Sequence, residues 1–366
     1  MKVGILTLLP LNSNYGGVLQ VWALQKFISD LGHDPEVFNT PEVKKFTLKE
    51  KILKYPFRFF KSFIFRHKII INFENRFVRN RQKIIPFIQQ KLPIKTIRSI
   101  ENIKLDEFDF IIFGSDQVWR ALYWCRTFPN LEDAFGGFVP KTSSTKLISY
   151  AASFGRDDIN EYPHDKTPSI AKLLKRFKGV SVRENSGVEI CKREFGVEAK
   201  WVVDPTMLHE KSIYEELCKN IPHKTDFVAS YFLEDSELSK EIEKEILKDF
   251  NGFHDKIESN VLKNNIRGIE EWLATFRDAD FIMTDSFHGA VFSIIFGKPF
   301  IVIDNPKRGT GRIRSLLQLF GLENHFIESI DKLEDIRSYN LSGGTSEKLA
   351  DLRKDSSAWL KEILIN

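Results

Sequence analysis

Short apolar runs, each stopping at a small or polar turn, constrain this chain more than any other feature. Val3–Leu9 is the first, and it leads through Asn12, Ser13 and Asn14 into Tyr15 and the glycine pair Gly16 and Gly17. Val18–Leu31 follows, with Leu19, Trp22, Ala23 and Phe27 on one helical face, until Gly32 ends it and Glu36–Asn39 resumes as a strand. A buried strand, a glycine loop, a helix and a second strand in that order open a doubly wound α/β domain.

The pattern repeats. Phe110–Phe113 leads into Gly114, Ser115, Asp116 and Gln117, and Lys146–Tyr150 into Ala151, Ala152, Ser153, Phe154 and Gly155. Gly179–Val182 leads into Arg183 and Glu184, and Trp201–Val203 into Asp204, Pro205 and Thr206. A second α/β unit then reads as strand Phe227–Phe232, helices Leu238–Leu247 and Glu270–Arg277, strand Phe281–Met283, turn Thr284–Gly289, helix Ala290–Phe296 and strand Phe300–Ile303. Ligands of open α/β sheets gather at the carboxyl ends of strands, so these turns are where chemistry is expected.

A chain of 366 residues suits two domains. Pro205 marks the junction. The expected division is an N-terminal Rossmann-like domain over 1–204 with a basic helical insertion at 44–100, a C-terminal one over 205–345, and a helix over 346–366 packing across the end. The two domains should face one cleft.

Composition narrows the class. Hydrophobic residues make up 42% and charged ones 28%, as in soluble globular proteins. The longest apolar candidate, Gly289 to Ile303, is broken by Lys298 and Pro299, and Val3–Leu9 is too short for a signal-peptide core. Cys125, Cys191 and Cys218 show neither metal-like nor redox spacing, which suits a reducing, cytoplasmic setting. The net charge of +4 hides an asymmetry. Lys44 through Lys95 holds fifteen Lys or Arg against Glu50 and Glu74, about +13, leaving the remainder at about −9. Within it, Phe57–Val78 interleaves apolar residues with Arg58, Lys61, Arg66, Lys68, Arg76 and Arg79. Such a helix either lies on an anionic membrane surface or packs its apolar stripe on the domain. Peripheral attachment at the inner face of a membrane follows from the first reading, and no nucleic-acid partner is expected.

Each turn admits a functional and a structural reading. Asn14, Tyr15, Gly16, Gly17 and Gln20 open a helix where backbone N–H groups can meet an anion, or simply make a tight turn. Ser115, Asp116, Gln117 and Ser153 suit recognition of sugar hydroxyls, or cap helices. Arg183 can clamp a carboxylate or phosphate, or pair with Glu184 or Glu189. His288, flanked by Asp285, Ser286, Phe287 and Gly289 where a buried strand meets an apolar helix, can exchange a proton near neutral pH, or sit as a core histidine. The other seven histidines show no ligand spacing, and no metal site is expected.

Taken together, six patches resemble the polysaccharide pyruvyltransferase family. They are Asn14-Tyr15-Gly16-Gly17 with Leu19-Gln20 and Ala23-Leu24-Gln25, Phe113 through Trp119, Ser149 through Gly155, Ser181 through Glu184, Asp204-Pro205-Thr206, and Ala279-Asp280 through Gly289 and on to Lys298-Pro299-Phe300. They run in order over roughly Lys2 to Ile303. The resemblance implies a fold like that of two-domain glycosyltransferases. It also implies phosphoenolpyruvate as donor with no further cofactor, a sugar acceptor on a lipid or nucleotide carrier, and a ketal product. By similarity His288 is the catalytic residue and Arg183, Ser286, Phe287 and His288 face the donor. Asn14, Tyr15, Gly16, Gly17, Gln20, Ser115, Asp116, Gln117 and Ser153 face the acceptor. One departure stands out: the family's arginine two residues before the histidine is Ser286 here. Lys298 is the first candidate to replace its charge, ahead of Lys307 and Arg308. The rival functions are a nucleotide-sugar glycosyltransferase on the same fold and a non-catalytic protein binding a sugar or lipid carrier.

Overall fold

In the computed structural model, the described residues are 1–11, 14–40, 82–248, 250–259, 266–305 and 309–365. Asn12, Ser13, Lys307, Arg308 and the amphipathic Phe57–Val78 stretch lie outside them. Among the described residues every paired strand runs parallel to its neighbour. The first sheet comprises β1 (Lys2–Leu6), β2 (Asp34–Asn39), β3 (Ile94–Thr96), β4 (Phe110–Phe113) and β5 (Lys146–Ser149), in the order β3-β2-β1-β4-β5. A two-stranded sheet, β6 (Ser181–Val182) and β7 (Lys200–Trp201), continues it through bridges from Ile148 to Gly179 and Ala152 to Val182. The second large sheet comprises β8 (Phe227–Phe232), β9 (Phe253–Glu258), β10 (Phe281–Thr284), β11 (Phe300–Ile303) and β12 (Phe326–Ile327), in the order β12-β11-β10-β8-β9. The fold is α/β, with two doubly wound Rossmann-like units.

Burial explains why these segments are strands. Phe110–Phe113 and Phe300–Ile303 are buried at every position, as continuous apolar runs in parallel sheets must be. β3 falls within the stretch expected as an insertion: the first sheet already resumes at Ile94.

Strand order reverses at one point in each sheet. In the first, β2 and β3 lie on one side of β1 and β4 and β5 on the other. In the second, β9 lies on one side of β8 and β10 to β12 on the other. The loops diverge at those places, opening a crevice beyond the strand ends. Both crevices open onto the same cavity.

An aromatic seam joins the two halves. Helix α1 (Tyr15–Asp30) belongs to the first sheet, yet Tyr15 stacks on Trp272 at 5.4 Å and meets Tyr231 edge-on at 6.0 Å. The Tyr15 hydroxyl donates to the Arg267 carbonyl and accepts from the Arg267 N–H. Trp22 meets Tyr214, which meets Phe292 at 5.0 Å. Such aromatic pairs contribute about 0.5–1.5 kcal/mol each beyond their area burial. One contiguous hydrophobic cluster therefore runs from β1 through α1 into the second sheet.

Three further helices matter below: α2 (Phe287–Phe296), α3 (Gly311–Phe320) and α4 (Gly343–Ile365). α4 packs back on the N-terminal half, where the Ser356 hydroxyl accepts the Val203 N–H at 3.1 Å. Among the described residues no helix is long and apolar enough to cross a membrane.

Candidate active site

A cleft of about 420 Å³ lies between the two switch points. Leu8, Asn14, Asp116 and Gln117 reach it from the ends of β1 and β4, while Tyr231, Leu233 and Asp285 through His288 reach it from β8 and β10. Gly309, Thr310 and Arg312 close a third side.

His288 stands where the two halves touch. Ser286 caps α2, its hydroxyl accepting the Gly289 N–H at 3.4 Å, so His288 is fixed in the first turn. Gly289 is required there, since a Cβ would lie 2.3 Å from the Thr284 hydroxyl. The imidazole Nε2 is buried without a hydrogen bond and lies 3.6 Å from Asp204 Oδ2, an ion-pair distance. The other face of the ring presses on Gly16, where a Cβ would fall 2.0 Å from Nδ1. The glycine of the first turn of α1 is thus what leaves room for the histidine of α2.

Asp204 is the centre of a buried charge cluster. Its Oδ2 accepts Arg183 Nη1 at 2.9 Å and the Ser115 hydroxyl at 3.2 Å; its Oδ1 accepts the Thr206 N–H and hydroxyl. Burial alone would raise its carboxyl, but His288, Arg183 and the Thr206 N–H outweigh that and hold it well below the usual carboxylate range. Arg183 Nη2 meets Asp116 Oδ1 at 3.0 Å, and the guanidinium stacks 4.4 Å from the Phe287 ring. Burial would likewise raise Asp116, and Arg183, His288 and Arg312 keep it low. Glu184, also fully buried, is pushed up by burial despite Arg183 and Arg312 nearby.

The sequence-derived candidates therefore divide. Asn14, Asp116, Gln117, Ser286, Phe287 and His288 line the cleft. Arg183 does not: its side chain is fully buried behind Phe287, and two carboxylates occupy its Nη atoms. Gln20 and Ser115 stitch the loops together behind the cleft. Gln20 Nε2 donates to Thr7 and the Gly17 carbonyl, and its Oε1 accepts the Ser115 N–H at 3.0 Å. Ser153 turns inward, accepting the Gly155 N–H. Gly17 supplies the N–H that Asn14 caps at 3.2 Å, and Tyr15 belongs to the seam. Lys298 is a correction. It precedes β11 at the strand's amino end, beside Asp278 and Asp280, whereas the cleft lies past the carboxyl ends.

Two residues were missed. Asp204 reads in sequence as part of a domain junction, though a strand followed by Asp-Pro-Thr also fits a side chain delivered to a strand end. Arg312 follows Gly309, Thr310 and Gly311, another glycine turn between a strand and a helix. Arg312 is 8% exposed and is the one Lys or Arg side chain among the described residues lining the cleft. Burial, with Arg183 next to it, lowers its guanidinium to about 10. Among the described residues no group of His, Cys, Asp and Glu has the arrangement to hold a metal.

The Gly16 contact gives a direct test. Alanine favours a helix over glycine by roughly 1 kcal/mol, so Gly16→Ala should not cost α1 stability by propensity. Its methyl displaces the imidazole instead, and a misplacement of about 1 Å at a reacting group costs on the order of 10²-fold. We expect kcat to fall by that order, more than the loss of folded protein from the buried overlap accounts for; wild-type kcat would show that His288 does not need this position.

A two-unit α/β protein whose switch points meet at a polar cleft, with a carboxylate-backed histidine against it, has the make-up of an enzyme acting on a small polar substrate. The chain belongs to the polysaccharide pyruvyl transferase family, whose model matches residues 14–307. No curated protein matches it significantly. Among solved structures it is similar to UDP-GlcNAc 2-epimerase from Neisseria meningitidis bound to UDP-GlcNAc, at 11% identity and a TM-score of 0.47, with all of both chains covered. It is also similar to UDP-GlcNAc 2-epimerase from Methanocaldococcus jannaschii, at 12% identity and a TM-score of 0.44, covering 97% of this chain and 92% of that one. The two parallel sheets themselves carry the fold assignment.

Proposed function

We propose that the protein transfers a pyruvyl group from phosphoenolpyruvate to two hydroxyls of a sugar in a polysaccharide or its precursor, closing a cyclic ketal and releasing phosphate. The observation that carries this reading is the pairing of His288 with Asp204 at the wall of the cleft, in a chain of this family. Asp204 lies 3.6 Å from the imidazole Nε2 and orients the ring, so His288 is placed to carry a proton to the donor.

In the first step His288, as imidazolium, gives a proton from Nδ1 to the methylene carbon of the donor. A sugar hydroxyl adds to the central carbon, and its proton returns the histidine to the charged form. In the second step a neighbouring hydroxyl attacks the same carbon, and phosphate leaves with that hydroxyl's proton. Nδ1 is assigned this role because Nε2 faces Asp204 and Gly16 has no side chain to block the other nitrogen. Asn14, Asp116 and Gln117, on the first-sheet side of the cleft, are the acceptor-facing residues in this reading. Arg183 holds Asp116 and Asp204 in place rather than touching the donor.

Incubation with phosphoenolpyruvate and a panel of lipid-linked and nucleotide-linked sugars, read by mass spectrometry, tests the assignment. The expected product gains one pyruvate less one water, with acceptor-dependent release of phosphate. Gain of a hexose from a nucleotide sugar would replace the reading with a glycosyltransferase. No product from any donor would leave a binding protein.

A further inference from the structure

Arg312 is a buried cation with no hydrogen-bonded counter-ion among the described residues. It makes no hydrogen bond or ion pair with any described residue, and its Nε is buried and unpartnered. Burying a guanidinium in this way is costly unless something pairs with it. Asp116 and Glu184 lie near enough to act on it through space, but Asp116 is already hydrogen-bonded to Arg183, and Glu184 accepts the Phe154 N–H and makes no hydrogen bond to Arg312.

The local backbone is built to deliver this side chain. Gly309, at φ +78°, sits so close to the Gly155 carbonyl that a Cβ would fall 2.5 Å from its oxygen. A Cβ on Gly311 would overlap the Asp157 carboxylate at 1.8 Å. Two glycines thus let the start of α3 press against the loop after β5, which carries Arg312, in the first turn of α3, into the cleft between the halves. Phe287 lies between the two arginines, 4.4 Å from Arg183 and 5.8 Å from Arg312. Beside it the N–H groups of Phe287 and His288, ahead of the capped Gly289 N–H, have no hydrogen-bond partner among the described residues. A guanidinium and two open helix-terminal amides facing one space form a site for a small anion.

We propose that Arg312 is the anion anchor of this cleft, taking the phosphate or carboxylate of the donor and supplying the charge that Ser286 does not. The naming of phosphoenolpyruvate rests on the proposed function; the anchor itself requires only an anion. Both Nη atoms of Arg183 are held by carboxylates and its side chain is fully buried outside the cleft lining, and Lys298 is at the other end of its strand, so among the described residues neither competes for this role.

The test uses the full chain, with inorganic phosphate, pyruvate and phosphoenolpyruvate as separate probes, in thermal shift and calorimetric titration. Phosphate and pyruvate separately report on the two halves of the donor. Wild-type protein should be stabilised by phosphoenolpyruvate and by at least one of the two smaller anions. Arg312→Met should lose that stabilisation and weaken phosphoenolpyruvate binding about a hundredfold. Without ligand it should melt at or above the wild-type temperature, because an unpaired buried charge has been removed. Arg312→Lys, which keeps the charge but not the fork, should fold normally and bind with intermediate strength. A ligand response that survives Arg312→Met, a ligand-free melting temperature well below wild type in that variant, or a wild type indifferent to all three anions would overturn the anchor. A phosphate response that Arg312→Met abolishes, in a wild type that ignores phosphoenolpyruvate, would instead overturn the donor and leave the anchor standing.

Discussion

His288→Ala is expected to lower turnover by about 10²–10⁴-fold, the usual contribution of a proton-transfer residue, with donor affinity and melting temperature near wild type. The fold should tolerate the change because Nε2 makes no hydrogen bond that would be lost. Asp204 keeps Arg183, Ser115 and Thr206 when the imidazole is gone, so no carboxylate is left unpaired. A structural histidine gives the opposite pattern: a lowered melting temperature with activity lost only in proportion to unfolded protein. Turnover and melting temperature measured on one preparation separate the two, and a stable variant with wild-type turnover would remove His288 from the chemistry.

Arg183→Ala should act the other way, on the fold before the donor. The guanidinium is fully buried between Asp116 and Asp204, and removing one partner of a buried ion pair typically costs about 3–5 kcal/mol, because the remaining charges are left uncompensated. Two carboxylates lose their counter-charge at once. The denaturation midpoint should fall by the corresponding amount, and the loosened Asp204 should carry His288 out of position, so turnover drops as well. Arg183→Lys retains a charge but cannot span both carboxylates, so it should recover part of the stability. An Arg183→Ala variant as stable as wild type, yet unable to hold the donor, would assign the guanidinium to the substrate instead.

The fully buried strands are the ones that stand out most plainly in the sequence. Phe110–Phe113, Phe227–Phe232 and Phe300–Ile303 are continuous apolar runs, and they occur where the pattern puts them. β9 escaped because it lies at a sheet edge: Phe253–Glu258 alternates exposure, and its polar residues hide the strand. β12, two residues long at the opposite edge, is too short to register. The site was legible to the same degree. His288 stands out through its strand–turn–helix setting and its neighbours, all local in sequence. Arg183 was visible as a charged residue at a strand end, but the two carboxylates that hold its Nη atoms come from positions 67 residues before and 21 after. Local pattern cannot distinguish a clamp for substrate from a clamp for the protein's own acids. The reason for Gly16 is equally remote, since the imidazole it accommodates is in the other half of the chain.

The aromatic seam has a consequence for how the protein could be divided. Domains joined by polar linkers and modest interfaces usually survive separation, and their relative motion is the default. Here Tyr15, Trp22, Tyr214, Trp272 and Phe292 form one packed layer drawn from both halves. A fragment ending at the close of the first half would present α1 with its apolar face open to water, and the complementary fragment would expose Trp272 and Phe292. Neither piece should be recoverable as a soluble, independently folded unit. The same layer fixes Gly16 against His288, so the contact between the two halves at the cleft is part of the folded core itself.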